Sequence, residues 1–199
     1  MRRRSFATAP VVAVDVDGVL LDFDSAWVSC AQEALRRPVV FVRHAWDMAR
    51  RYGLDAEEAH QVWAAFHKNG WWGRIEPYPY AWELLDALRR LGCDVVAVTN
   101  ADAPYASERA VTLGGLVDER KIFMLGRSAS PDQRVELLKQ LHTRAFLDDL
   151  PENANAAALY VPASALLYRQ YADREEPSDG VTVIDDPLDF APVLEGMLS

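Results

Sequence analysis

Residues 11–18 read VVAVDVDG, an unbroken apolar β-run that stops on two carboxylates, Asp15 and Asp17, and then a glycine. A strand that is apolar at successive positions is covered on both faces, which is the pattern of a parallel sheet flanked by helices. The two acids at its end repel each other and add nothing to a core. In such a sheet the carboxyl ends of the strands open on a ligand crevice. The stretch therefore predicts an α/β fold with a charged site at the end of its first strand.

The rest of the chain repeats the motif. DVVAVTN (94–100), RAFLDD (144–149) and SALLYR (164–169) are short β-rich runs, with KIFML and VTVID as weaker ones. Helical patterns separate them: PYAWELLDALRRLG, with Pro79 near its start and Gly92 past its end, PDQRVELLKQL after Ser130, and PENANAAAL. Alternation of this kind reads as a Rossmann-like, three-layer core, an open and mostly parallel sheet between two helical layers. One segment breaks the rhythm. Residues 17–93 separate the first two strong strands, whereas a crossover needs only about 12 residues. The surplus carries three helical patterns, DSAWVSCAQEALRR, VRHAWDMARRYG and DAEEAHQVWAAFHKNG, and ends in GWWGRIEPYPY. It is expected to be a small helical cap at residues 23–76, inserted into a core made of 1–22 and 77–199.

Composition narrows the class. With 199 residues, half of them hydrophobic, the chain can build one core with a modest insertion. A net charge of −9, with basic residues scattered among acids, argues against a nucleic-acid polymer as partner. No run reaches the ~18 apolar residues of a membrane span, and MRRRSFATAP lacks the apolar stretch of a signal peptide. A cytoplasmic location is the expectation, with Cys30 and Cys93, which lack metal-ligand spacing, as buried reduced thiols.

Three strands end in polar residues of one kind: Asp15 and Asp17, then Thr99 and Asn100, then Asp148 and Asp149. Carboxylates converging on one point need a cation, and oxygen-only ligands suit a hard ion such as Mg²⁺. An EF-hand loop starting at Asp15 fails, because its fifth and twelfth positions fall on Val19 and Ala26.

DVDGVL after a hydrophobic strand, VVAVTNA ending on Thr99, a basic residue further on, and FLDDLPENA resemble, in order, the four motifs of the haloacid dehalogenase superfamily over about residues 11–160. The likeness is to its phosphatases, and the cap after the first motif, with TNA and DD, resembles the deoxyribonucleotidase-like branch. The resemblance implies Mg²⁺-dependent hydrolysis of a small phosphomonoester, a nucleoside monophosphate among the candidates, through an aspartyl-phosphate. Asp15 would be the nucleophile, Asp17 the general acid and then base, and Thr99 and Asn100 would hold the phosphoryl oxygens. Asp148 and Asp149 would complete a metal shell begun by Asp15 and the Asp17 carbonyl. The sequence departs from the family twice. Where a lysine is usual, Arg134 stands in register, with Lys139 and Lys121 as other candidates, and Tyr80 stands where nucleotidase-like members tend to carry glycine. Arginine can bridge a carboxylate and a phosphate, so the role survives the exchange.

Of the six tryptophans, most lie in or beside the insertion. A small helical cap needs large side chains for its own interior, which is the expectation for Trp63 and Phe66. Trp71 and Trp72 are adjacent, so one of them is a candidate wall for the substrate. His67 and Arg74 are further candidates, DREEPSDG reads as a polar surface loop, and the acids of DDP at 185–187 as helix caps. Two other readings fit the acids: a phospho-accepting signalling domain, which needs neither Asp17 nor a cap, and an idle relative that binds phosphate or a partner.

Overall fold

The computed structural model describes residues 9–198, so most of the basic opening stretch, on which the expectation of no leader rests, lies outside the described residues. Among these residues six strands form one sheet: β1 (Val11–Asp15), β2 (Asp94–Thr99), β3 (Ile122–Met124), β4 (Thr143–Asp148), β5 (Ala163–Leu167) and β6 (Val181–Ile184). All neighbours run parallel, in the order β3-β2-β1-β4-β5-β6. The order reverses beside β1, the switch point at which open α/β sheets bind ligands. Register places Asp15 level with Val98 of β2 and pairs Val14 with Leu147 of β4, so Asp15 and Asp148 emerge side by side.

The helices in chain order are α1 (Phe23–Leu35), α2 (Met48–Tyr52), α3 (Ala56–Lys68), α4 (Ala81–Arg90), α5 (Ala106–Thr112), α6 (Pro131–Gln140), α7 (Pro151–Ala158) and α8 (Phe190–Leu198). Strand residues alternate between two packed faces. Val12, Val14 and Leu147 share a core with Leu84, Leu85 and Leu88 of α4 and with Phe190 and Leu194 of α8. Ala13, Val98 and Phe146 turn the other way, onto Leu138 of α6 and Ala157 of α7. This is the three-layer core expected from the alternation of runs. The acids of DDP act as caps in part: the Asp186 carboxylate accepts from Leu188 N at 2.9 Å.

The segment between β1 and α4 holds α1, α2, α3 and a 3-10 turn at Trp71–Arg74. Helix α3 begins with a full capping box, Asp55 with Glu58. The helix expected over VRHAWDMARRYG is cut to α2. The Trp46 and Asp47 N–H groups are taken by the Asp173 carboxylate, and Asp47 caps a new start by accepting from Arg50 N at 2.8 Å. Rings fill the segment's interior: Phe66 stands edge-on to Trp72 at 5.1 Å, Phe23 lies 5.9 Å from Trp72, and Trp27 lies 6.1 Å from Trp63. Trp27 and Phe66 are fully buried, and each such side chain contributes roughly 1.5–3 kcal/mol by leaving water.

The polar stretch DREEPSDG is more than a surface loop. The Asp173 carboxylate accepts from Trp46 N at 2.7 Å and Asp47 N at 3.3 Å, and the Arg174 guanidinium covers the Trp46 ring at 4.1 Å. The loop after β5 thus clasps the segment that follows α1.

Candidate active site

Strands β1, β2 and β4 end beside one another, and the residues at their ends meet. Asp15, Asp148 and Asp149 are buried, and each offers a carboxylate oxygen within 4.8 Å of the others. Burial raises the Asp15 carboxyl well above its usual range, with Asp148 adding to the rise and Arg134 opposing it. Burial also raises Asp148, and burial together with Asp148 pushes Asp149 up to about 7. Three oxygen donors that cannot all ionise together are what a hard divalent cation stabilises. The donor set fits Mg²⁺.

Secondary contacts aim these acids. Asp148 accepts from Leu150 N at 2.8 Å and from the Asn153 amide at 3.1 Å. The Tyr171 hydroxyl donates to Asp149 Oδ2 at 2.7 Å. Gly18 makes room for Asp149: its φ is +88°, and a Cβ there would lie 2.3 Å from Asp149 Oδ2. Gly18→Ala is therefore expected to cost roughly 1–3 kcal/mol of stability and to weaken Mg²⁺ binding. Thermal melts with and without Mg²⁺ check this, and an unchanged melt would show that Asp149 moves freely.

Arg134, in the first turn of α6, reaches the cluster. Its Nη1 donates to Asp15 Oδ1 at 2.8 Å and lies 3.2 Å from Asp148 Oδ2, while Nη2 donates to Asn100 Oδ1 at 2.8 Å. The other two candidates are elsewhere. Lys139 pairs with Glu136 at 2.7 Å, and Lys121 pairs with Asp94 at the opposite end of β2.

The Asp17 side chain is not part of the carboxylate cluster. Its Oδ2 accepts from the Arg109 guanidinium and, at 3.3 Å, from the Thr99 hydroxyl. Thr99 is fully buried, and its Oγ1 also accepts from Ala101 N at 3.1 Å. Asp15, Asp17, Asn100 and Arg134 border a cavity of about 420 Å³ whose wall also includes Phe23, Trp63 and Trp72 of the segment between β1 and α4. Thr99 and Trp71 do not border it. Trp71 instead stacks on Phe66 at 6.3 Å and under Arg74 at 4.9 Å. His67 accepts from Trp72 Nε1 at 3.1 Å, behind the wall. Tyr80 donates to Val19 O at 2.9 Å and accepts from Arg169 at 2.9 Å, so its hydroxyl belongs to the scaffold.

Four site residues escaped the sequence reading. Asn153 stands five positions after Asp148 and could have been found from helical phasing. Arg169 follows the end of β5 at the ligand-binding edge, a positional signal that went unused. Arg109 and Tyr171 lie in segments with no local signature, and only the fold brings them in.

The raised Asp149 carboxyl has a consequence for stability. Its folded value, about 7, lies above the unbound 3.8, so the folded protein binds more protons between those values. Stability of the metal-free protein should therefore fall as pH rises through that window. Mg²⁺ bound there would replace the proton, so it should raise the melting temperature at pH 8 by more than at pH 5. A melting temperature blind to Mg²⁺ at both pH values would mean that the cluster holds no cation.

No family model matches the sequence, and no curated protein matches it. Solved structures do. A predicted phosphoglycolate phosphatase from Haemophilus somnus superposes with a TM-score of 0.61 at 16% identity, covering 96% of this chain and 100% of that one. A HAD family hydrolase from Deinococcus radiodurans, with bound phosphate and sodium, gives 0.61 at 19%, covering 96% and 98%. An L-2-haloacid dehalogenase from Xanthobacter autotrophicus, with chloropropionic acid covalently bound, gives 0.55 at 15%, covering 95% and 99%. The chain has the fold of the haloacid dehalogenase-like hydrolases. Among its described residues, no helix is long and apolar enough to cross a membrane.

Proposed function

We propose that the protein is a Mg²⁺-dependent phosphatase that hydrolyses a small phosphomonoester through an aspartyl-phosphate on Asp15. The observation that carries this reading is the cluster of Asp15, Asp148 and Asp149 within 4.8 Å, beside Arg134, at the switch point of the sheet. Mg²⁺ held by these acids and the Asp17 carbonyl would cancel the repulsion between Asp15 and an incoming phosphate.

The chain's own groups supply the rest. Arg134 holds Asp15 by one oxygen. Asn100, whose side-chain oxygen is taken by Arg134, has its amide N–H groups left for a phosphoryl oxygen. Asp15 attacks phosphorus, the ester P–O bond breaks, and Asp17 gives its proton to the departing oxygen. A water then attacks phosphorus, Asp17 takes its proton, and the bond to Asp15 breaks to release phosphate. Thr99 supports this through Asp17 and the turn at Ala101 rather than by touching the substrate.

The same acids argue against a dehalogenase. Displacing a halide asks for one nucleophile, and two more buried carboxylates beside it would only repel a carboxylate substrate. The cavity walled by the insertion argues for a small substrate and against a signalling domain that accepts phosphate from a protein. Its aromatic wall favours a flat leaving group such as a nucleoside, the deoxyribonucleotidase-like reading. Cytoplasmic residence accords with the two free, buried cysteines.

The test is phosphate release from a panel of nucleotides, sugar phosphates and an aryl phosphate, with Mg²⁺ and with chelator. Release that needs Mg²⁺ is expected. Silence across the panel from a folded protein that binds Mg²⁺ would favour the idle reading.

A further inference from the structure

Arg109 on α5 is 0% exposed, yet its guanidinium is only partly satisfied. Its Nη2 donates to Asp17 Oδ2, its guanidinium lies 4.8 Å from the Trp72 ring, and its Nε and Nη1 have no hydrogen-bond partner among the described residues. A buried arginine so poorly satisfied is a poor device for stability, because its desolvation is barely offset. Thr99 donates to the same Oδ2, whereas Asp17 Oδ1 is buried and has no hydrogen-bond partner among the described residues. The two oxygens of one carboxylate are thus made unequal.

We propose that Arg109 is a positioning residue for Asp17. It pins Oδ2 and so fixes the orientation in which the Asp17 carboxyl meets the departing oxygen. The proposal rests on the reading of Asp17 as the acid. As Asp15 forms its bond to phosphorus, the ester P–O bond breaks with its electron pair on the leaving oxygen, and the Asp17 proton goes to that oxygen. In the second half Asp17 takes a proton from water.

Trp72 links this device to the insertion. The ring walls the cavity on one side and covers Arg109 on the other, and His67 fixes it through Nε1 at 3.1 Å. Helix α5 packs against the turn that carries Trp72. The segment that encloses the substrate therefore also seats the residue that aims the acid.

The experiment compares kcat and KM for wild type, Arg109→Gln, Arg109→Lys, Asp17→Asn and the Asp17→Asn/Arg109→Gln double variant. Two substrates are used, an alkyl phosphate, whose leaving oxygen needs a proton, and 4-nitrophenyl phosphate, whose leaving oxygen scarcely does. Arg109→Gln is expected to lose about tenfold or more in kcat on the alkyl ester, under about threefold on the aryl ester, with KM little changed. Arg109→Lys should lose less, and Arg109→Gln should add almost nothing to Asp17→Asn. Equal losses on both esters for Arg109→Gln, where Asp17→Asn discriminates between them, overturn the positioning role and leave the acid in place. Equal losses for Asp17→Asn overturn the acid, and the proposal with it. Should Arg109→Gln fail to fold, Arg109→Lys is judged by the same difference between esters.

Discussion

Asp15→Asn is expected to abolish phosphate release, by a factor on the order of 10⁴ or more, while leaving the protein folded. The amide is nearly the shape of the carboxylate, and its oxygen can still accept from Arg134, so the end of β1 keeps its geometry. On the proposed reading it would lose the nucleophile and one of three anions for the cation. The stability consequence has a definite sign. Burial and Asp148 raise the Asp15 carboxyl, so its charged form is a cost to the metal-free fold, and removing that charge should leave the metal-free melting temperature unchanged or higher. With Mg²⁺ present the order should invert, because the variant binds the ion less tightly and gains less from it. Phosphate release and melting curves with and without Mg²⁺ measure both. A variant that keeps near-wild-type release would remove Asp15 from the chemistry.

The sequence made the sheet and most of its acids readable because both depend on short-range patterns. An apolar run that ends in Asp15, Thr99 or Asp148 declares a buried parallel strand and the edge at which it stops. The short β3 was legible only as the weak KIFML, since three residues carry little periodicity. Helix α5 was missed: seven residues of ASERAVT show no apolar stripe, because the face of Arg109 is polar and buried by tertiary contacts alone. Arg109 was unreadable for the same reason, as its partner Asp17 lies 92 positions away. The wall of the cavity was half legible. Adjacency shows that Trp71 and Trp72 must differ, but not which of them faces the cavity. That choice follows from the 3-10 turn after Gly70, whose φ of +69° sets the phase of both rings.

Arg134→Met tests whether one cation of the chain holds the cluster together. Arg134 enters from the first turn of α6, whose start is fixed by Pro131 and by a capping box between Ser130 and Gln133, and its guanidinium lies 5.8 Å from the Phe146 ring. Methionine can fill much of that space and cannot neutralise Asp15 or Asp148. Two buried carboxylates would then face each other uncompensated, a loss of roughly 3–5 kcal/mol for a broken buried pair, or on the order of 10 °C in melting temperature for a chain of this size. Mg²⁺ should recover part of the loss, because it supplies the missing positive charge. Activity should fall by about 10³-fold, since Arg134 also fixes Asn100. Arg134→Lys should behave differently. A point charge can still reach Asp15 and Asp148 but cannot hold Asn100 at the same time through a fork, so most of the stability should return while kcat recovers only in part. If Arg134→Met melts like wild type without Mg²⁺, the acids of the cluster are carrying protons instead of facing a cation. Lys139→Ala, on a surface pair with Glu136, should change neither quantity by a measurable amount. The contrast between these two basic residues, five positions apart on one helix, is what separates a charge built into the site from one that only faces water.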